Sequence, residues 1–141
     1  MRIRILLADS HPAFLTALSR CLRDQEDIEV IGQAKDGGAV ELTQQLTPDI
    51  VLMDIDTSVP ASVNAGRQIH RDQPDIKIIV LSVDPVPLHV RQMFKAAASG
   101  YLLKDCEPER LLAAIRTVAQ GGTYVSLESD CRPQDDPKQG T

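Results

Sequence analysis

The stretch Pro48-Asp49-Ile50-Val51-Leu52-Met53-Asp54 constrains the fold of this chain more than any other. Four consecutive apolar residues are entered through Pro-Asp and end on an acid. So short an unbroken apolar run suits a central parallel strand covered on both faces, because neither side of its pleat meets water. In open α/β sheets ligands bind beyond the carboxyl ends of the strands, so Asp54 stands where a reacting group belongs. A plainer reading, in which Asp54 only caps the next segment, is open until the other strands are placed.

Those strands can be read in order. Arg2 to Ala8 has the apolar content of a strand and is followed by Asp9. Ser10 suits a helix N-cap and Pro12 an early helical position, since the cap oxygen takes a free amide and proline has none to offer. Phe14, Leu15, Leu18, Cys21 and Leu22 then repeat at helical spacing as far as Arg23-Asp24. Ile28 to Ala34 reads as a second strand, and Asp36-Gly37-Gly38 opens a helix carrying Val40, Leu42 and Leu46 that closes before Pro48. After the central strand come a loop from Ile55 to Ala61 with Pro60 in it, and a helix from about Ser62 to Asp72. Gly66 weakens that helix by roughly 1 kcal/mol relative to alanine. Ile76 to Leu81 is a second long apolar strand ending on Ser82, and Leu88 to Ala97 carries helical spacing. Gly100-Tyr101-Leu102-Leu103 is a short strand ending on Lys104. Pro108 starts a last helix, which Gly121-Gly122 stops.

Five strands alternating with five helices define an α/β fold: a doubly wound parallel sheet with helices on both faces and right-handed crossovers. The chain of 141 residues then forms one domain over 1–125, and the polar, aperiodic stretch 126–141 reads as a disordered tail with no room for a DNA-binding domain. The balance of 15 basic against 20 acidic residues argues against direct nucleic-acid binding through a cationic surface. No apolar run approaches a membrane span and no signal peptide precedes the first strand, so the expected location is cytoplasmic. Cys21, Cys106 and Cys131 are odd in number and far apart, which indicates neither a disulfide framework nor a clustered metal site.

The strand ends carry the chemistry. Asp9, Asp54, Ser82 and Lys104 follow four different strands and converge on one rim of an otherwise apolar sheet. A carboxylate there can attack phosphorus and become an aspartyl-phosphate. Such transfer depends on alignment and on neutralising charge at the equatorial oxygens. Asp9 suits a share in Mg²⁺, a cation of oxygen ligands that keeps several waters. Lys104 can offset phosphoryl charge, and Ser82 can hydrogen-bond a phosphoryl oxygen.

Three stretches, Ile5-Leu6-Leu7-Ala8-Asp9-Ser10-His11-Pro12, Pro48 to Asp54, and Ala98-Ser99-Gly100-Tyr101-Leu102-Leu103-Lys104-Asp105, resemble the receiver domains of two-component response regulators, in particular the NarL/FixJ-type branch. The likeness extends over residues 2–125. It implies a flavodoxin-like (CheY-like) sheet of order 2-1-3-4-5. It also implies Asp54 as phosphoacceptor, Asp9 as a member of the acidic metal pocket, Ser82 as the switch hydroxyl, Lys104 as the phosphate-sensing lysine and Tyr101 as an aromatic that changes rotamer on activation. The backbone carbonyl of Asp56 is implied as a further metal ligand. A sensor histidine kinase is the implied donor, with homodimerisation or another protein contact as output and no enzymatic activity beyond the domain's own phosphorylation and dephosphorylation.

Two positions depart from the family pattern. Ser10 stands where a second acid usually ligates Mg²⁺ directly, so binding of that ion should weaken. The loop after Asp54 reads Ile55-Asp56-Thr57-Ser58-Val59-Pro60-Ala61-Ser62, with its proline displaced. Both favour an alternative, a receiver-like module that binds partners without phosphorylation. A flavin carrier on the same fold ranks last, since no phosphate-cradling glycine loop is present. Each site residue also has a plainer role: Asp9 as a helix-entry acid, Lys104 as a surface lysine, Ser82 as a turn serine, Tyr101 as a buried edge-strand aromatic. His11, beside Asp9, is read as setting the chain's entry into the first helix.

Overall fold

The computed structural model describes residues 2–9, 11–34, 38–54, 59–83 and 86–127. The elements in chain order are β1 (Ile3–Ala8), α1 (Pro12–Arg23), β2 (Ile28–Ala34), α2 (Ala39–Leu46), β3 (Ile50–Asp54), α3 (Val59–Asp72), β4 (Lys77–Ser82), α4 (Pro87–Ala96), β5 (Ala98–Leu103), α5 (Pro108–Ala119) and β6 (Tyr124–Val125). They form one sheet of order β2-β1-β3-β4-β5-β6, and every pairing is parallel. This is the flavodoxin-like order expected, with one addition.

The addition is β6. The sequence predicts five strands, a domain ending at 125 and a last helix stopped at Gly121-Gly122. The structure turns the chain there and lays two more residues beside β5, with Ser126 N–H donating to the Tyr101 carbonyl at 2.9 Å. The turn is a Schellman closure of α5. Gly121 N–H donates to Val118 O (2.9 Å) and Gly122 N–H to Thr117 O (3.0 Å), while Gly121 takes φ +96°, which only glycine adopts without strain. A two-residue strand carries no periodicity, so its sequence held no signal for it. Of the expected tail, Ser126 and Leu127 are described, and residues 128–141 lie outside the described residues.

Alternation along the strands sorts the core into two layers. Ile5 and Leu7, Ile50 and Leu52, Ile79 and Leu81, and Leu102 face α1 and α5, against Leu15, Leu18, Leu22, Leu111, Ile115 and Val118. Leu6, Val51, Met53, Ile78, Val80 and Tyr101 face the opposite way, with Ile69 of α3 and Met93 of α4. Ile50–Met53 of β3 and Ile78–Leu81 of β4 are apolar without a break because both faces of these strands are covered. Each fully buried aliphatic chain contributes about 1.5–3 kcal/mol, so the rim where strands end rests on a rigid floor.

Two expected boundaries move. The N-cap of α1 is His11, with φ −99° and ψ 104° and Pro12 in the first turn, and it makes no side-chain cap bond. Ser10, the expected cap, lies outside the described residues. Helix α3 begins at Val59, earlier than expected, so Pro60 falls in its first turn, where a missing N–H costs nothing. Gly66, read as weakening that helix, stays within it and is buried. A Cβ there would lie 3.6 Å from Met93 Cε, an ordinary contact at the seam of α3 and α4.

Candidate functional site

The site lies at the carboxyl edge of the sheet. Asp9 directly follows β1, and its backbone N–H donates to Ala34 O of β2 at 3.2 Å. Asp54 ends β3 and Ser82 ends β4. Lys104 follows β5 with its N–H on Ser82 O at 2.8 Å, which continues the β4–β5 ladder by one rung and fixes where its long side chain starts. That chain reaches back across the rim. Lys104 Nζ lies 2.9 Å from Asp9 Oδ2 and 3.2 Å from Asp54 Oδ1, while both carboxylate side chains are only 4% exposed. The face of Phe14 lies beneath the ammonium, 4.7 Å from Nζ to the ring centroid, a favourable cation–π placement.

His11 completes the cluster. Its backbone N–H donates to Asp9 Oδ1 at 2.8 Å, and this turn delivers the ring to the same place. Nδ1 lies 2.9 Å from Asp9 Oδ1, 3.5 Å from Asp54 Oδ2 and 3.0 Å from Lys104 Nζ. Asp9, His11 and Asp54 each offer one ligand atom, and these atoms lie within 4.8 Å of one another. The ring was read as setting helix entry only. His11 does occupy the cap position, and it is also a site residue. An acid two residues before a helix-capping histidine is the signal that could have shown it, because the acid's turn to the following N–H folds both side chains to one side.

Charge is unevenly balanced. Burial alone pushes the Asp9 carboxyl up, but the Lys104 ammonium and the two contacts from His11 outweigh it and leave it below the usual carboxylate range. Asp9 is therefore ionised at neutral pH. Two carboxylates share one ammonium in a poorly hydrated pocket, an arrangement that favours arrival of another cation.

Of the expected site residues, the structure brings Asp9, Asp54 and Lys104 into contact and places Ser82 on the neighbouring strand end, buried. Tyr101 is fully buried in the layer facing α3 and α4, below the rim. Ser10 and Asp56 lie outside the described residues. Besides His11, the reading missed Phe14 as the ammonium's platform and Ser62, whose hydroxyl donates to the Asp54 carbonyl at 3.3 Å and ties the start of α3 to the end of β3.

Sheet order and site together describe a domain built to present an acid at a strand end. Comparison with known proteins agrees: the model of the response regulator receiver domain matches residues 5–116. The chain belongs to the response regulator receiver domains of two-component systems. Within them it falls in the NarL/FixJ-type branch. It is 38% identical over 125 residues to the transcriptional regulatory protein DegU of Brevibacillus brevis, covering 88% of this chain and 53% of that protein. To the oxygen regulatory protein NreC of Staphylococcus haemolyticus it is 35% identical over 130 residues, covering 89% and 59%. The chain thus spans somewhat over half the length of these relatives. Among solved structures, a two-component response regulator of the LuxR family from an Aurantimonas species superposes with a TM-score of 0.82 at 28% identity, covering 99% of both chains. The response regulator domain of CheB from Thermotoga maritima superposes at 0.76 with 25% identity, covering 85% of this chain and 98% of that one.

Proposed function

We propose that this receiver is a phosphoacceptor switch whose reacting group is Asp54. The observation that carries this reading is the pairing of a strand-end carboxylate with both a second carboxylate and an ammonium, Lys104 Nζ lying 3.2 Å from Asp54 Oδ1 and 2.9 Å from Asp9 Oδ2. In the proposed reaction an Asp54 oxygen attacks phosphorus of a phosphohistidine on a sensor kinase or of a small phosphodonor. The new P–O bond forms as the bond to the leaving group breaks, and the leaving group takes up a proton from solvent. Lys104 then follows the negative charge from carboxylate to phosphoryl oxygen, and the Ser82 hydroxyl donates to another phosphoryl oxygen.

The donor set fits the divalent cation that receivers take. Asp9 and Asp54 are oxygen ligands of the kind Mg²⁺ favours, and the Asp56 carbonyl is assigned beside them by resemblance. When bound, the ion neutralises charge on the transferring phosphoryl group. Ser82 and Tyr101 sit on β4 and β5, one at the rim and one in the core facing α4, which makes this face the element that phosphorylation biases. Residues 1–125 act as the receiver unit, with no enzymatic role beyond its own phosphorylation and dephosphorylation. A sensor histidine kinase in the cytoplasm is the donor, and a homodimer or another protein reads the output. By likeness to the transcriptional regulator named above, that output belongs to gene control when the receiver is part of a longer chain. Among the described residues no helix is long and apolar enough to cross a membrane.

Intact mass after incubation with acetyl phosphate and Mg²⁺ tests the reading. A single phosphoryl adduct is expected in the wild type and none in Asp54→Asn. Adduct of equal yield in the variant overturns the assignment. Absence of adduct from the wild type, with acetyl phosphate or a cognate kinase, moves the function to phosphorylation-independent partner binding.

A further inference from the structure

We infer that the His11 imidazole is a direct ligand of the divalent cation, so that the site has a mixed nitrogen and oxygen donor set and favours a borderline transition ion over Mg²⁺. This rests on the reading of the strand-end cluster as a cation site and adds to it a residue from outside the strands.

Three observations carry it. First, a cation already occupies the place. Lys104 Nζ lies 2.9 Å from Asp9 Oδ2, 3.2 Å from Asp54 Oδ1 and 3.0 Å from His11 Nδ1, so one ammonium is gathered by the three groups a metal ion would use. Second, Asp9 Oδ2 is buried, and the group that faces it at 2.9 Å is the Lys104 ammonium, so this oxygen is already held by a cation. Third, Nδ1 is asked for two opposite roles. A proton on it serves Asp9 Oδ1 at 2.9 Å but confronts the ammonium at 3.0 Å, and a bare nitrogen serves the ammonium but confronts the carboxylate. A divalent ion resolves this conflict by accepting lone pairs from the imidazole and both acids.

The spacing suits the exchange. Adjacent ligands on an octahedral ion with bonds of about 2.1 Å lie roughly 3 Å apart. The distances from Nδ1 to Asp9 Oδ1 and Asp54 Oδ2 are 2.9 and 3.5 Å. His11 is half exposed, which leaves an open side for water or a phosphoryl oxygen. Imidazole suits the later first-row ions, whereas Mg²⁺ prefers oxygen, and this sets the direction of the selectivity.

The test compares Co²⁺ and Mg²⁺ binding by titration calorimetry in the wild type, His11→Ala, His11→Asn and Asp54→Asn, with folding checked by thermal melting. Asparagine keeps an N–H donor for Asp9 but is a poor ligand, so it separates support of Asp9 from ligation. Loss of roughly tenfold or more in Co²⁺ affinity in both His11 variants is expected. Mg²⁺ affinity should change less than threefold. Pulsed electron paramagnetic resonance on the Mn²⁺ complex should show nitrogen coupling in the wild type and none in His11→Ala. Unchanged Co²⁺ affinity in the His11 variants, with loss in Asp54→Asn, overturns the role of His11 and leaves the phosphoacceptor reading standing. Rescue by asparagine, or equal losses for both ions without nitrogen coupling, also overturns it. Unchanged binding in Asp54→Asn overturns the cation site altogether.

Discussion

The two edges of the sheet use the same kinds of side chain to opposite ends. At the amino edge Arg4 donates through its guanidinium to the carbonyls of Thr47 at 2.7 Å and Leu46 at 2.9 Å, while its backbone N–H is taken by Asp49 Oδ2 at 2.8 Å. These bonds close the end of α2, whose last carbonyls have no intrahelical partner. Nearby, Arg116 grips both oxygens of Asp27 at 2.8 and 2.9 Å and joins α5 to the turn before β2. Each basic group there has a settled set of acceptors. At the carboxyl edge one ammonium is divided between two buried carboxylates and an imidazole, with a net negative charge when His11 is neutral. Equal numbers of polar groups thus make a clasp on one edge and an exchange site on the other. What separates them is whether charge and hydrogen bonds close locally.

Substitutions can break or sharpen that contrast. The largest expected effect is at the carboxyl edge. Asp54→Asn should abolish phosphoryl labelling while leaving the melting temperature no lower, because it removes one of two crowded negative charges. The matching change at the amino edge has the reverse profile. Arg4→Ala should cost about 1–3 kcal/mol in chemical denaturation, since the Thr47 carbonyl loses its guanidinium donor and Leu46 O keeps only the Thr47 hydroxyl, and labelling should persist.

Smaller effects come from strain before the strands. Ala97 takes φ 130° between α4 and β5, so Ala97→Gly should stabilise by about 1 kcal/mol or more in the same experiment. The smallest effect concerns pH. The Arg116 guanidinium holds the Asp27 carboxyl below its usual range. Stability from this pair is therefore complete above the unfolded carboxylate pKa of about 3.9 and is lost as pH falls through the lower folded value. Both side chains are well exposed, so Asp27→Asn should cost at most about 1 kcal/mol near neutrality and flatten the acid limb of the stability profile. A larger loss at pH 7 than for Arg4→Ala would break the ranking.

The parts of the molecule legible in the sequence are those with repeated signals. Ile50–Met53 and Ile76–Leu81 read as buried strands from short apolar runs bounded by turn residues. Their end residues could be placed on one rim because parallel topology brings all carboxyl ends together. That same rule put Lys104 beside the two acids, and resemblance supplied its phosphate-sensing role. What escaped depends on single turns. His11 enters the site through one backbone bond to Asp9, and Phe14 lies under Lys104 only because α1 starts at Pro12. Ser62 reaches Asp54 because α3 starts early enough to carry it there. None of these repeats along the chain. β6 escaped for the same reason, being defined by hydrogen bonds to β5 and by a glycine closure.

The central claim is that one strand-end carboxylate, Asp54, receives the phosphoryl group. The most direct measurement is to phosphorylate the wild-type chain with acetyl phosphate and a divalent cation, trap the acyl phosphate by borohydride reduction, and map the reduced residue by tandem mass spectrometry. The account predicts homoserine at position 54 and an unmodified carboxylate at position 9. Homoserine at position 9, or a base-stable phosphoryl adduct on a histidine with position 54 intact, would contradict it.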